Sequence, residues 1–285
     1  MREISGQDGV GREPSGDTGA GLTADQAARI QAVAQRLADA ARAETLRLFR
    51  SPALHPDNKA QKGFDPVTEA DRASERTMRA ILAEARPEDA ILGEEFGAQP
   101  GTSGLTWVLD PIDGTRAFIC GAPSWGVLIG VTDARGPIYG LVDQPFTGER
   151  FEGGLGLARL TDRDGSRPLR SRSGVTLEQA TLMTTYPEVG TPEDHAAFRR
   201  VADRARLTRY GLDCYAYALL ALGQVDLVIE AGLQPYDVVG PIAVVQAAGG
   251  VVSDWQGGPA HQGGRIIAAG SAALHAEALA LLAQA

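Results

Sequence analysis

The chain reads Trp107-Val108-Leu109-Asp110-Pro111-Ile112-Asp113-Gly114-Thr115-Arg116 at the point where an apolar run delivers two aspartates into a turn. Pro111 fixes the backbone between them, and Gly114 permits a tight turn after them. Two carboxylates three residues apart at the end of a strand can converge on one hard cation, and Mg²⁺ prefers such oxygen ligands. By itself the motif leaves a second interpretation equally open, in which Asp110 closes a turn and Asp113 caps a helix.

Three further segments place carboxylates at the edge of hydrophobic elements. Glu94 and Glu95 follow a strand-like run, Asp71 lies in the first turns of a helix, and Asp237 precedes an apolar helix. Adjacent glutamates at the end of a strand are costly unless solvent or a cation receives them. Exposed loop charges or helix caps would also explain each acid taken alone. The four segments together favour a site for more than one metal ion.

The amino-acid composition limits the classes of protein to which the chain can belong. The chain has 285 residues with 27 Lys+Arg and 36 Asp+Glu, which gives a formal net charge of −9, and 44% of the residues are hydrophobic. These values are typical of a globular protein of one large or two small domains. Nucleic acids and anionic membranes need clustered Lys and Arg, so the acidic balance argues against either partner. The chain has only two cysteines, no apolar run long enough to span a bilayer and no apolar stretch typical of a signal peptide near its N-terminus. We therefore expect a cytoplasmic location.

Hydrophobic patterns divide the chain into a leader and two halves. Residues 1–21 have almost no aliphatic side chains, and we expect a flexible leader there. The half at 22–165 begins with two helices, the first ending near Phe49 and the second near Ala85, and continues in short strands joined by turns, which predicts an antiparallel sheet. The half at 166–285 alternates strands with helices, which predicts a mixed or parallel sheet covered by helices.

Three motifs, in this order and at these intervals, resemble the signatures of the inositol monophosphatase family: Gly93-Glu94-Glu95, Asp110-Pro111-Ile112-Asp113-Gly114-Thr115 and Tyr236-Asp237-Val238. The resemblance extends from about residue 24 to the C-terminus. It implies an α+β fold, the layered αβαβα sandwich of the inositol monophosphatase/fructose bisphosphatase type. It also implies a Mg²⁺-dependent phosphomonoesterase that acts on a small phosphate monoester and forms a homodimer.

The resemblance assigns metal-binding roles to the acids. Glu94, Asp110 and the backbone carbonyl of Ile112 would hold a first Mg²⁺. A second Mg²⁺ would be held by Asp110, Asp113 and Asp237, so that Asp110 bridges the two ions. A third, weaker ion held partly by Glu94 is usual in this family, so we expect two or three ions in each active site.

The resemblance also implies catalytic roles. Asp71 and Thr115 would act on the attacking water, while Glu94 supports the metals. The backbone N–H groups of Gly114 and Thr115, at a helix N-terminus, would face the phosphate oxygens. Phosphoryl transfer by metal-activated water needs this combination and requires no covalent phospho-enzyme.

Residues outside the metal motifs indicate the substrate. Inositol monophosphatases commonly have Thr-Asn-Phe where this chain has Arg116-Ala117-Phe118, and the segments around residues 123–130, 210–217 and 228–237 look like the bacterial histidinol-phosphatase branch. L-histidinol phosphate carries an ammonium and an imidazole, so its pocket should contain acids that are not metal ligands. The candidate substrate contacts are Asp213, Glu230 and Gln234.

Alternatives stay open at this point. Asp213 fits a helix cap as well as a substrate contact, Gln234 fits an exposed loop amide, and the position of Glu230 contacts substrate hydroxyls in inositol-specific relatives. An inositol-1-monophosphatase, or another phosphatase for small phosphate esters, is therefore the alternative enzyme. A non-catalytic binding partner is an alternative of a different class, since some members of the family associate with the transcription machinery.

Overall fold

Helices occupy both halves of the chain. The computed structural model describes residues 21–58 and 66–284, so the predicted leader at 1–21 lies outside the described residues apart from Gly21. The α-helices of the described ranges are α1 (Ala24–Leu48), α2 (Glu69–Ala85), α3 (Thr115–Cys120), α4 (Pro192–Ala202), α5 (Cys214–Ala221), α6 (Pro235–Ala247) and α7 (Ala272–Leu282), and a 3₁₀ turn covers Leu177–Gln179. In these ranges no helix is both long and apolar enough to cross a membrane.

The strands form three sheets. A small sheet pairs β1 (Asp57–Asn58) with β2 (Pro66–Val67). The strands of the first large sheet are β3 (Ala90–Gly93), β4 (Gly97–Gln99), β5 (Thr106–Asp113), β6 (Gly126–Asp133), β7 (Gly136–Gln144), β8 (Glu149–Gly154), β9 (Leu157–Asp162) and β10 (Gly165–Pro168), in the order β10-β9-β8-β7-β6-β5-β3-β4. The second contains β11 (Thr181–Thr184), β12 (Leu207–Tyr210), β13 (Leu227–Leu233), β14 (Val251–Asp254) and β15 (Gly264–Ala269), in the order β12-β11-β13-β15-β14.

Helices and sheets alternate in five layers. Helices α1 and α2 cover one face of the eight-stranded sheet, α5 and α6 lie between the two large sheets, and α4 and α7 cover the outer face of the five-stranded sheet. Each interface between layers has its own cluster of buried apolar side chains. Successive residues of one strand enter different clusters, as Leu128 and Ile129 of β6 do, because successive side chains point to opposite faces of a sheet. The predicted α+β fold with an αβαβα sandwich is confirmed.

Local sequence signals explain where the first two helices begin. At α1, Thr23 Oγ1 accepts a hydrogen bond from the Gln26 N–H at 3.2 Å, and Gln26 Oε1 accepts one from the Thr23 N–H at 2.8 Å. The same reciprocal capping box joins Thr68 and Asp71 at the start of α2. Such boxes satisfy two backbone donors that a helix end leaves without partners. Helix α1 ends one residue before Phe49, as its apolar spacing predicts.

Three details differ from the sequence-based description. Strand β3 pairs parallel with β5, because the chain folds outward into the edge strand β4 and then crosses back to the other side of β3. The division after residue 165 falls inside β10, whose four residues pair with β9, so the first large sheet extends to Pro168. Otherwise the division into two halves stays a prediction. Strand β12 was not predicted, because this short edge strand is largely exposed and lacks an apolar run.

Candidate metal centre and active-site cleft

One cavity of about 610 Å³ gathers the motifs from both halves of the chain. Its walls come from the turn after β3, the end of β5, the start of α3, the segment before α5, the end of β13 and the start of α6. All but one of the residues with a predicted role line it, namely Glu94, Asp110, Ile112, Asp113, Gly114, Thr115, Asp213, Glu230, Gln234 and Asp237. Residues with a predicted role as much as 143 positions apart in the chain, Glu94 and Asp237, therefore meet in one cleft.

An irregularity in β5 explains how two aspartates three residues apart serve one site. Asp110 pairs with Leu128 and Asp113 pairs with Gly126, so three steps along β5 match two steps along β6. In a regular strand, residues three apart point to opposite faces. The extra residue of the bulge cancels that alternation and brings both side chains to the same face. Pro111 is compatible with this break, because it has no N–H to contribute to the ladder.

Carboxylate oxygens of Asp110, Asp113 and Asp237 lie within 4.8 Å of one another. Backbone donors hold each of them: the Ile112 N–H donates to Asp110 Oδ1 at 3.0 Å, the Cys214 N–H to Asp113 Oδ2 at 2.6 Å, and the Gln234 N–H to Asp237 Oδ2 at 2.7 Å. These contacts use one oxygen of each carboxylate. Side-chain hydrogen bonds also join Asp110 to Glu94 and to Asp237, so the carboxylates face one another in the space that a cation would occupy.

Electrostatics in the cluster favour a bound cation. Burial, reinforced by neighbouring carboxylates, raises the pKa of Asp110 and of Asp113 well above the usual range. Burial also raises the pKa of Asp237 to about 7. Glu94 contributes to the crowding, since its side chain is hydrogen-bonded to Asp110. Raised pKa values mean that the ionised carboxylates are costly here without a counter-charge; they offer the hard oxygen donors that Mg²⁺ prefers, so the residues present fit the ion that the sequence implies.

The turn after β5 places Ile112, Gly114 and Thr115 at the cavity wall. The Thr115 hydroxyl donates a hydrogen bond to the Ile112 carbonyl oxygen at 3.1 Å. Gly114 has a left-handed backbone with φ 83°, and a Cβ atom there would lie 2.9 Å from Cγ of Asp213. Glycine is therefore required both by the backbone conformation and by the close approach of Asp213.

Asp71 is the predicted catalytic residue that does not line the cavity. It is 1% exposed, and its Oδ2 accepts hydrogen bonds from the Thr68 N–H at 2.8 Å and the Thr68 hydroxyl at 2.6 Å. Its Oδ1 is buried without a hydrogen-bond partner among the described residues. Burial, with smaller contributions from Glu95 and Glu94, raises the pKa of Asp71 to about 7. Its action on water stays a prediction.

Two acids outside the three-aspartate cluster shape the rest of the cavity. Glu230 is 5% exposed; the Thr185 N–H donates to its Oε1 at 3.0 Å and the Tyr217 hydroxyl to its Oε2 at 3.0 Å. Asp213, with φ 48° and ψ −139°, occupies the N-cap position of α5, but its side chain makes no cap hydrogen bond there. Burial and the charge of Glu230 raise the pKa of Asp213 to about 7, against the opposing effect of Arg116.

Sequence reasoning missed several residues of this cavity. Thr185 and Tyr217 orient Glu230, although they lie 45 and 13 positions from it in the chain. Tyr186 accepts a hydrogen bond at its hydroxyl from Arg116 Nη1 at 2.8 Å, which joins α3 to the segment after β11. No motif marks Thr185 or Tyr186, and the segment 210–217 that contains Tyr217 gave no sign of its contact with Glu230, so only the packing of the chain brings these residues to the site.

A cleft that collects several carboxylates, as this one does, is typical of enzymes that transfer phosphoryl groups with the help of metal ions. A profile of the inositol monophosphatase family matches residues 26–285. The bifunctional phosphatase IMPL2 of Arabidopsis thaliana chloroplasts is 40% identical over 262 residues, covering 88% of this chain and 74% of that protein. The histidinol-phosphatase of Streptomyces coelicolor is 34% identical over 262 residues, covering 88% of this chain and 96% of that protein. A solved inositol monophosphatase from Zymomonas mobilis has a TM-score of 0.78 at 40% identity, covering 89% of this chain and 97% of that chain.

The chain belongs to the inositol monophosphatase family. It is therefore a phosphatase that hydrolyses phosphoric monoesters, and enzymes of this family generally use Mg²⁺. The similar proteins carry different substrate names, so membership fixes the class of reaction and the choice of ester rests on the pocket.

Proposed function

We propose that this phosphatase hydrolyses L-histidinol phosphate to L-histidinol and inorganic phosphate, a step of histidine biosynthesis. The observation that carries the proposal is the pair of acids, Asp213 and Glu230, that line the cavity outside the cluster of Asp110, Asp113 and Asp237. The similarity to the Streptomyces coelicolor histidinol-phosphatase supports the same choice.

The two acids suit a cationic leaving group. Histidinol carries an ammonium, and its imidazole can be protonated near neutral pH. Glu230 is fixed by Thr185 and Tyr217, so its carboxylate is oriented before substrate arrives. A buried carboxylate without a cationic partner is costly, and a bound ammonium or imidazolium would remove that cost. Gln234, in the same wall, offers an amide to the substrate.

The metal ligands in this proposal are Glu94, Asp110, the Ile112 carbonyl, Asp113 and Asp237, which would hold two or three Mg²⁺ ions. Mg²⁺ supplies positive charge that neutralises the phosphate and activates water. The chain itself orients these oxygens through the backbone donors described above.

The remaining roles fall to Thr115, Gly114 and Asp71. The Thr115 hydroxyl donates a hydrogen bond to the Ile112 carbonyl, so its oxygen can accept a hydrogen bond from the attacking water. The backbone N–H groups of Gly114 and Thr115 would face the phosphate. Asp71 keeps a buried oxygen without a partner among the described residues and, together with Thr115, would act on the attacking water.

Three further assignments belong to the proposal. We infer a homodimer, a cytoplasmic location, and neither nucleic acid nor membrane as a partner. The acidic net charge of −9 supports the last of these. Size-exclusion chromatography with light scattering would test the dimer, since a monomeric mass in solution would contradict it.

The alternative enzyme is an inositol-1-monophosphatase or another phosphatase for small esters. The similarity to the Zymomonas mobilis inositol monophosphatase favours it. Glu230 alone does not discriminate, because a carboxylate also accepts hydrogen bonds from hydroxyl groups. Asp213 does discriminate, because a second, partly buried carboxylate near Glu230 suits a cation better than a neutral ring. A non-catalytic binding partner is the alternative of a different class.

Phosphate release from L-histidinol phosphate and from inositol 1-phosphate, measured side by side with Mg²⁺, tests the proposal. We expect the higher kcat/KM for histidinol phosphate. Asp213→Asn should then lower kcat/KM for that ester by about 10-fold, mainly through KM, since hydrogen bonds to charged groups contribute about 1.5–3 kcal/mol. Asp203→Asn, at the exposed end of α4, is the matched control and should match the wild type. A preference for inositol 1-phosphate would contradict the proposal.

A further inference from the structure

A second buried carboxylate on α2 has no part in the cavity. Glu75 lies one helical turn after Asp71, and its side chain is completely buried. A buried carboxylate is costly unless charged or hydrogen-bonded partners surround it, so its partners indicate what it stabilises.

Its partners belong to the turn that carries Glu94. The Glu95 N–H donates to Glu75 Oε2 at 2.7 Å, and the Phe96 N–H donates to Glu75 Oε1 at 3.2 Å. Arg79 Nε donates to Glu75 Oε1 at 2.8 Å. The same guanidinium reaches the carbonyl oxygen of Gly97 through Nη2. Together Glu75 and Arg79 hold the backbone that follows Glu94.

Gly93, the residue before Glu94, passes close to the same carboxylate of Glu75. A Cβ atom at Gly93 would lie only 2.0 Å from Glu75 Oε1, so the turn passes closer to this carboxylate than any side chain at that position permits. The Glu94 N–H donates to the Leu109 carbonyl at 3.2 Å, which joins the turn to the strand residue just before Asp110. The backbone that follows Glu94 is thus hydrogen-bonded to Glu75, the residue before it passes close to the same carboxylate, and the Glu94 N–H joins the turn to β5.

We propose that Glu75 is a positioning residue for the metal ligand Glu94: its buried carboxylate holds the turn of residues 93–96 so that the Glu94 side chain meets Asp110. This inference rests on the proposed metal-binding role of Glu94. Partners that orient metal ligands commonly change metal affinity by about 10–100-fold when they are substituted. Glu75 would then affect Mg²⁺ affinity without touching the ion.

Mg²⁺ binding to the full-length, metal-free protein, measured by isothermal titration calorimetry with Mg²⁺ alone, tests this role. Glu75→Gln keeps the size of the side chain, but it removes the charge and places an amide opposite a backbone donor. We expect Mg²⁺ to bind about 10-fold more weakly to this variant than to the wild type. Glu84→Gln on the same helix removes an exposed glutamate and is the matched control, expected to bind like the wild type.

A double-mutant cycle separates positioning from general destabilisation. If Glu75 acts through Glu94, Glu75→Gln should cost little further Mg²⁺ affinity in a Glu94→Gln background. Unchanged Mg²⁺ affinity in Glu75→Gln, or losses that multiply fully in the double variant, would overturn the inference. If Glu94→Gln itself binds Mg²⁺ like the wild type, the proposed metal site fails instead. If Glu75→Gln does not fold, Arg79→Gln takes its place, because it removes the Nε donor to Glu75. The same criteria for Mg²⁺ affinity then apply.

Discussion

The buried carboxyl of Asp71 gives the metal-free protein a stability that falls as the pH rises. Burial raises its pKa in the folded state to about 7, from the ordinary value of 3.8. Between these values the folded state holds a proton that the unfolded chain has lost, so the free energy of unfolding decreases by roughly 1.4 kcal/mol per pH unit. From about pH 5 to about pH 8 this one group should therefore remove about 3 kcal/mol of stability.

Asp71→Asn isolates this contribution. The asparagine Oδ1 can accept both hydrogen bonds from Thr68, so the cap of α2 survives. A buried amide without a partner would cost about 1–3 kcal/mol, but that cost is the same at both pH values. Relative to the wild type, the variant should thus gain about 3 kcal/mol of unfolding free energy on going from about pH 5 to about pH 8.

Urea unfolding of both proteins in a chelator at the two pH values is the assay. Ser74→Ala, one turn further along the buried side of α2, is the control, because it changes an uncharged side chain and should shift stability equally at both pH values. Parallel pH dependence of wild type and Asp71→Asn, within about 0.5 kcal/mol, would refute the inference that this carboxyl is protonated in the folded metal-free protein.

Asp113→Asn should lower kcat by on the order of 100-fold or more, because the Asp113 carboxylate belongs to the three-aspartate cluster. The circular dichroism spectrum should stay that of the wild type. A docking protein would instead keep its binding activity, and retained turnover would contradict the assignment. Mg²⁺ at about 100 times its Kd should raise the free energy of unfolding by about 2.7 kcal/mol per site in chemical denaturation, and no rise would mean that no Mg²⁺ site forms. Asp143→Ala should destabilise the protein by about 3–5 kcal/mol, because it leaves Arg42 and Arg150 without the buried carboxylate that both contact. A loss below about 1 kcal/mol in urea unfolding would contradict this and show that water replaces the Asp143 carboxylate.

Sequence patterns predicted the parts of the fold that depend on neighbours in the chain. Helix α1 has its capping box and apolar stripe within one segment, so its bounds could be read locally. The metal motifs were recognisable because each is a short run with a distinctive order of acids, proline and glycine. The five-layer arrangement came from the family resemblance, since no local pattern specifies which face of a sheet a helix covers.

The site depends on relations that no short segment carries. The bulge in β5 is defined by its pairing with β6, so the sequence did not show that Asp110 and Asp113 share a face. Asp213 was as consistent with a helix cap as with a substrate contact; its side chain makes no cap hydrogen bond, and its contact with substrate stays a prediction. Glu75 went unnoticed because a glutamate at helical spacing is ordinarily exposed; its role is visible only through the backbone N–H groups of a turn 20 residues away.

Anomalous diffraction from crystals grown with Mn²⁺ in place of Mg²⁺ tests the metal centre most directly. We expect anomalous peaks within coordination distance of Asp110, Asp113 and Asp237, with Glu94 contacting one of the ions. Peaks confined to other surfaces, or carboxylates of these four residues turned away from a shared ion, would contradict it.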